Sequence, residues 1–181
     1  MKSNQVRIIG GQWRSRIVRF PDASTLRPTP DRLRETLFNW LGQELDGRTC
    51  LDLFAGSGAL GFEAASRGAR SVVAVEQDGA VYRALLANRE ALSAQQVELR
   101  RQDALAFLKA DARTFDVVFL DPPFNLGWLP KLLPLLPAHI GVDARIYVEA
   151  EKPPALPAGF ELLRQARAGQ VHGLLIKYAG P

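Results

Sequence analysis

Asp121-Pro122-Pro123-Phe124 places a carboxylate, two prolines and an aromatic ring directly after an apolar run, Phe115 to Leu120 (FDVVFL). That run reads as a fully buried strand, and ligands bind at the carboxyl ends of strands in open parallel sheets. Pro123 holds Pro122 in an extended conformation, which can aim the Pro122 carbonyl outward beside the Asp121 carboxylate. Two acceptors then face one planar NH2 group, and Phe124 offers a face for its ring system. The chemistry suits a flat, weakly nucleophilic amine, either of a nucleobase or of a carboxamide. Asp-Pro-Pro is also a common turn sequence, so the tetrapeptide needs a partner to carry meaning.

The partner is the run Leu51-Asp52-Leu53-Phe54-Ala55-Gly56-Ser57-Gly58-Ala59-Leu60-Gly61. A short apolar strand, Thr49 to Phe54, enters a glycine loop that opens into a helical pattern from Ala59 to about Arg67. Gly56, Gly58 and Gly61 match the G-x-G-x-x-G fingerprint in its strand-turn-helix context. Glycines allow the tight turn and a close backbone approach, and the first N–H groups of the helix face the ligand. A second strand, Ser71 to Val75, ends at Glu76, which lies 18 residues after Gly58. That is the place of a carboxylate that binds ribose hydroxyls, with Gln77 beside it. A third strand, Val97 to Arg101, leads to Asp103 and Ala104, suited to an exocyclic adenine amine.

A parallel sheet would gather Asp52, Glu76 and Asp103 along one rim and bring Asp121 to the same rim. An adenosine ligand follows from that arrangement. NAD would need its pyrophosphate neutralised, which Asp52 disfavours. S-adenosylmethionine carries a sulfonium and an ammonium, so an acidic rim suits it. Asp52, Phe54, Ala55, Gly56, Ser57 and Gly58 would then hold its methionine end, and no metal is required.

Positioning these residues takes one globular domain. A chain of 181 residues, 47% of them hydrophobic, can build a central sheet covered on both faces. The single Cys50 excludes an internal disulfide, and with two distant histidines (His139 and His172) it cannot make an ordinary zinc site. Nothing at the N-terminus has the layout of a signal peptide, and no apolar run is long enough to span a membrane. A cytoplasmic protein without membrane contact, and a monomer, is the expectation. Helices are expected over Asp78–Leu92, Ala104–Lys109 and Leu129–Leu136, the last limited by Pro134 and Pro137. A strand is expected over Arg145–Glu149, a terminal pair over Phe160–Arg167 and Gln170–Tyr178, and a loop over Lys152–Pro157.

Charge is uneven along the chain. Residues 1–40 hold eight basic and three acidic residues, a net of +5, while the remainder has a net of −1. Such a basic arm, here residues 1–25 ahead of a catalytic unit 26–181, is the electrostatic footprint of nucleic-acid binding. Val6–Ile9 and Arg16–Phe20 read as strands of a hairpin around Gly10–Ser15. Arg7, Arg14, Arg16 and Arg19 would contact phosphates, and Trp13 either stacks on a base or packs on the domain. Thr29 as N-cap with Pro30 at the first helical position starts a helix to about Leu41. Arg27 and Thr29 precede that helix and reach toward the cofactor strand.

Together the glycine loop LDLFAGSGALGFEA, the acid of VEQD, the DPPF motif and the opening RIIGGQWRSR…LRPTPDRLRETLFNWL resemble the RsmD-type guanine-N2 methyltransferases of 16S ribosomal RNA. The similarity runs from about Val6 to Tyr178. It implies a class I S-adenosylmethionine-dependent methyltransferase, an α/β Rossmann-like fold whose seven-stranded mixed sheet has an antiparallel last strand. It implies methyl transfer to the exocyclic amine of guanine 966, in the small ribosomal subunit or an assembly intermediate, with S-adenosylhomocysteine as product. By the same resemblance Arg27 and Thr29 sit near the methionine end. The short, proline-rich segment after Glu149 departs from the family and puts the helix expected there in doubt. The residues alone leave other readings open: adenine N6, a protein glutamine, or an assembly factor that keeps only the fold.

Overall fold

The computed structural model describes residues 3–22 and 26–180. A two-stranded antiparallel hairpin comes first, β1 (Ser3–Arg7) with β2 (Ile17–Pro21), followed by helix α1 (Asp31–Trp40). Then come β3 (Thr49–Asp52), α2 (Ala59–Ser66), β4 (Ser71–Glu76), α3 (Gly79–Ala91), β5 (Val97–Arg101), α4 (Ala104–Ala110) and β6 (Phe115–Leu120). A four-residue α5 (Leu129–Leu132) runs into a 3-10 stretch, Leu133–His139. The chain closes with β7 (Ile140–Ala150), β8 (Phe160–Ala168) and β9 (Val171–Tyr178).

Seven strands form one sheet in the order β5-β4-β3-β6-β7-β9-β8. The first five are mutually parallel, and β9 is antiparallel to both β7 and β8. This is the mixed sheet with an antiparallel last strand that the family resemblance implies. β3 has β4 on one side and β6 on the other. The strand order therefore reverses between β3 and β6, and the crevice at their carboxyl ends is the topological switch point where ligands bind in open α/β sheets.

Alternate side chains of the central strands divide the core into two layers. Cys50, Val72, Val117, Phe119, Tyr147 and Leu175 join one cluster with Leu37 and Phe38 of α1, Phe62 of α2 and Leu85 of α3. Leu51, Val73, Val118, Leu120, Ile146 and Val148 join the other with Phe107 of α4 and Leu132, Leu133 and Leu136. All eight residues of α2 are buried, so its apolar character extends around the helix rather than along one stripe.

Four expectations are corrected. The cap of α1 is Pro30, not Thr29, and no side chain caps it; the Thr29 hydroxyl is engaged elsewhere. The helix expected over Leu129–Leu136 is α-helical only to Leu132, because Pro134 and Pro137 lack the N–H groups an α-helix needs. β7 begins at Ile140, five residues before the expected Arg145, with a register shift against β6 between Phe115 and Val117. The first hairpin strand ends at Arg7 rather than Ile9. Residues 151–159 form no helix, so the departure noted after Glu149 is real. The arm boundary placed at residue 25 lies outside the described residues.

Candidate active site

Both chemical motifs stand at the switch point, one on each side. β3 delivers Asp52 and the glycine loop, and β6 delivers Asp121. Gly56 and Gly58 have φ of 50° and 81°, backbone that side-chain-bearing residues rarely adopt. A Cβ on Gly58 would also strike the Phe62 ring and Leu85. The loop is fastened from below: Asp52 is buried, and its Oδ2 accepts from the Gly61 N–H at 3.0 Å. Burial pushes the Asp52 carboxyl up to about 7; the Gly61 N–H opposes that, and the Glu76 charge adds to it. Its Oδ1 has no partner among the described residues. Cys50 is buried in the same strand, and burial raises its thiol to about 12, which makes it a packing group rather than a nucleophile.

The expected rim acids fall at successive strand ends. Glu76 closes β4 and accepts from Gly56 N–H at 3.0 Å and Asp78 N–H at 2.7 Å. Its half-buried carboxyl has a raised pKa, chiefly from burial, and Gln77 beside it is exposed. Asp103 follows β5 and is half-buried, and Ala104 is buried. Asp103 also caps α4, accepting from the Ala106 N–H at 2.9 Å, so one oxygen already has a structural task.

Asp121 is half-buried, and its carboxyl lies well above the ordinary carboxylate range. Burial is the first cause, followed by the negative charges of Glu149 and Asp52. Pro122, Pro123 and Phe124 line a cleft of about 500 Å³ together with Trp128, Glu149 and Lys152, a size ordinary for a small-molecule or single-base pocket. Trp128 packs edge-on against Phe54 of the glycine loop, ring centroids 5.3 Å apart, and so joins the two halves of the site. The sequence reading missed Trp128, which lies outside any motif, and Glu149, the penultimate residue of β7. Two consecutive aromatic-or-apolar residues after Gly127 gave the only signal for the first.

Glu149 is 2% exposed. It takes hydrogen bonds from the Tyr147 hydroxyl at 3.1 Å and from the Thr29 side chain. This is where Thr29 is engaged: it reaches the acceptor side of the site, beneath the DPPF strand end. Leu26 lies against Gly56, so the segment before α1 crosses the glycine loop, and the next residue, Arg27, is exposed.

The hairpin is docked on α2 and α3. Glu63, fully buried, accepts from Ile9 N–H at 2.9 Å, Gly10 N–H at 2.8 Å and the Arg67 guanidinium. Ser66 Oγ accepts from Trp13 N–H and donates to the Gly10 carbonyl. A Cβ on Gly11 would collide with the Ser66 carbonyl. Asn88 of α3 brackets Arg19, accepting from its N–H and donating to its carbonyl. The motif IIGGQW is thus a docking sequence. Trp13 is 9% exposed and packs in the core, so of its two expected roles the structure has the packing one. Arg7, Arg14, Arg16 and Arg19 remain exposed along the hairpin. Arg16 also donates to the Ala91 carbonyl. The turn carrying Arg14 lies at the Ser66 end of α2, while Val6 and Phe20 pack at Ala59 near the glycine loop.

Residues 6–177 match the model of the family described as conserved hypothetical protein 95. Ribosomal RNA small subunit methyltransferase D of Escherichia coli K12 is 45% identical over 174 residues, covering 93% of this chain and 88% of that one. The chain belongs to this family. The methyltransferase of the same name from Haemophilus influenzae is 44% identical over 175 residues, 92% of this chain and 91% of that one. The solved structure of an Escherichia coli protein 43% identical to it superposes with a TM-score of 0.88, covering 98% of this chain and all of that one. Family membership makes the chain a methyltransferase, and the fold of these relatives is the one described above.

Proposed function

We propose that this protein transfers a methyl group from S-adenosylmethionine to the exocyclic N2 amine of a guanine in 16S ribosomal RNA of the small subunit. The observation that carries the reading is the juxtaposition of Gly56–Gly58 and Asp121–Phe124 across the switch point between β3 and β6. Kinship with the small-subunit RNA methyltransferases D supports ribosomal RNA of the small subunit as substrate. The guanine amine rests on the family resemblance.

The residues present fit the cofactor. Left-handed glycines leave the loop backbone bare, and the surrounding charges are acidic, as a sulfonium and an ammonium require. Asp52 through Gly58 would hold the methionine end, Glu76 and Gln77 the ribose, and Asp103 with Ala104 the adenine. Arg27 would border the methionine end from the exposed side. S-adenosylmethionine bound there supplies an electrophilic methyl group.

The chain itself supplies position and electrostatics. A guanine amine is a poor nucleophile because its lone pair is delocalised into the ring. The Asp121 carboxylate and the Pro122 carbonyl accept its two N–H groups and favour a pyramidal nitrogen with the lone pair directed at the methyl. Pro123 fixes the Pro122 carbonyl. Phe124 packs on the base, which leaves its stack to enter the cleft. Partial burial of Asp121 strengthens each of these hydrogen bonds, because the site is less screened than open water.

Asp121→Ala should abolish methyl transfer and leave cofactor affinity nearly intact. Methylation by that variant at more than a tenth of the normal rate would sink the role given to Asp121.

A further inference from the structure

The acceptor carboxylate does not stand alone. β6 and β7 are parallel and pair Leu120 with Val148, so the next residues, Asp121 and Glu149, sit side by side at the carboxyl ends of neighbouring strands. Phe119 and Tyr147, two residues earlier, also pair and both join the core layer beneath α1. Strand alternation therefore puts Asp121 and Glu149 on that same face. Asp52, on β3, pairs with Phe119 and shares the face too. Three acids thus stand at three adjacent strand ends; Glu149 lines the cleft, and Asp121 immediately precedes Pro122, Pro123 and Phe124, which line it too.

Glu149 is more enclosed than an accidental acid would be. Two hydroxyls are turned to it, Tyr147 from its own strand and Thr29 from the segment before α1. Among the described residues no cation is hydrogen-bonded to it. The cation whose charge acts on it, Arg34 of α1, is fully buried; it donates to the Arg7 carbonyl and Asp31 and lies 3.9 Å from Glu63 of α2. Arg67, beyond Glu63, is committed to that acid, and Gly173 of β9, across from Glu149, adds no charge. The groups facing Glu149 are therefore Asp121 at the end of β6, Asp52 of β3, Tyr147, Thr29 and Arg34, with the exposed Glu151 and Lys152 on the open side of the cleft. A buried and a half-buried carboxylate on adjacent strand ends, the charge of Glu149 raising the pKa of Asp121, do not both stay ionised without a partner.

We propose that Glu149 is a positioning residue for the acceptor: it shares one proton with Asp121, and the pair presents a single negative charge to the target amine. This rests on the reading of Asp121 as the acceptor of the amine N–H groups. With Glu149 carrying the proton, Asp121 keeps an oxygen free for the amine. As the N–C bond forms and the methyl–sulfur bond breaks, its electron pair remains on sulfur and the nitrogen holds one proton in excess. Asp121 takes that proton, the pair becomes neutral, and the cleft returns one proton to solvent when product leaves. Burial raises Glu149 to about 7, with the two hydroxyls and Arg34 opposing it, and raises Asp121 well above the ordinary carboxylate range, which agrees with a proton held by the pair near neutrality.

The test is a carboxyl 13C NMR titration of the ligand-free protein, read beside pH–rate profiles on unmethylated small subunits. Glu149 should titrate near neutrality in the parent protein, and Asp121→Asn should lower its midpoint by about one pH unit or more. Reciprocally, Glu149→Gln should lower the Asp121 midpoint and move the acid limb of the rate profile by a similar amount, with cofactor affinity changed less than about twofold. Glu149→Asp, which keeps the charge, should restore the limb. Independent titrations, with neither midpoint moved by the other substitution, would overturn the shared proton. If Asp121→Ala stays active while the titrations remain linked, the acceptor reading fails and the proton pair stands.

Discussion

Asp121 and Gly58 show how far single residues determine this site. Gly58 occupies a left-handed conformation and faces Phe62 and Leu85 with no room for a methyl. Gly58→Ala should therefore cost about 1–3 kcal/mol from the backbone alone, and more from the clash. Isothermal titration with S-adenosylmethionine should show weakened binding even where the variant remains folded at low temperature. Unchanged stability and affinity would mean that the loop geometry is not what holds the cofactor. Glycines and DPPF were legible in the sequence because their chemistry is local: a left-handed turn and a stiff proline pair are written in consecutive residues. Glu149 was not legible. An acid ending a β-strand looks like an ordinary solvated boundary, and only the pairing of β6 with β7 puts it beside Asp121.

At the scale of elements, the hairpin and α2 form one unit. Trp13 among arginines invited a base-stacking role, yet its ring is buried and its N–H is held by Ser66. What the sequence could not reveal is that Glu63 and Ser66, 53 residues away along the chain, complete the turn. Trp13→Ala should cost about 3–5 kcal/mol by analogy with other large core truncations, lowering the thermal midpoint. A stacking residue would instead leave the midpoint unchanged and weaken RNA binding. The exposed arginines are a separate matter. Arg14 lies at the far end of α2 from the glycine loop, about 12 Å for its eight residues. Arg14→Ala with Arg16→Ala should weaken RNA binding and flatten its salt dependence, by roughly 0.7–0.9 in slope per lost phosphate contact. The loss should appear in KM rather than kcat. Unchanged affinity and slope would show that the RNA binds elsewhere.

The whole molecule carries its buried acids as a pH-dependent load. Asp52 and Glu149 both have folded-state values raised to about 7. A raised acid pKa means that the folded state holds its proton more tightly than the unfolded chain does. The contribution to stability is full below the ordinary carboxylate range and is lost as pH rises from there through about 7. Glu98 and Asp111 are lowered by hydrogen bonds from Arg113, so their contributions are constant in this window and fall away only in more acid solution. The ligand-free protein should therefore melt at a higher temperature at pH 5.5 than at pH 8, and Asp52→Asn, which keeps an acceptor for Gly61, should reduce the difference. A melting temperature that rises with pH over that range would contradict the assignment. The common rim of a parallel sheet was legible from the motif spacing, and the antiparallel last strand from the family resemblance; the order of the strands was not. The extent of β7 and the break of α5 into a 3-10 stretch were not, because prolines and register shifts act through neighbours rather than through periodicity.

Methyl transfer to unmethylated small subunits and to naked 16S RNA, with the modified nucleoside identified by mass spectrometry, bears most directly on the central reading. N2-methylguanosine is expected at one position in the RNA, and none with Asp121→Ala. Methyl groups found only on ribosomal protein, or on adenine N6, would contradict it.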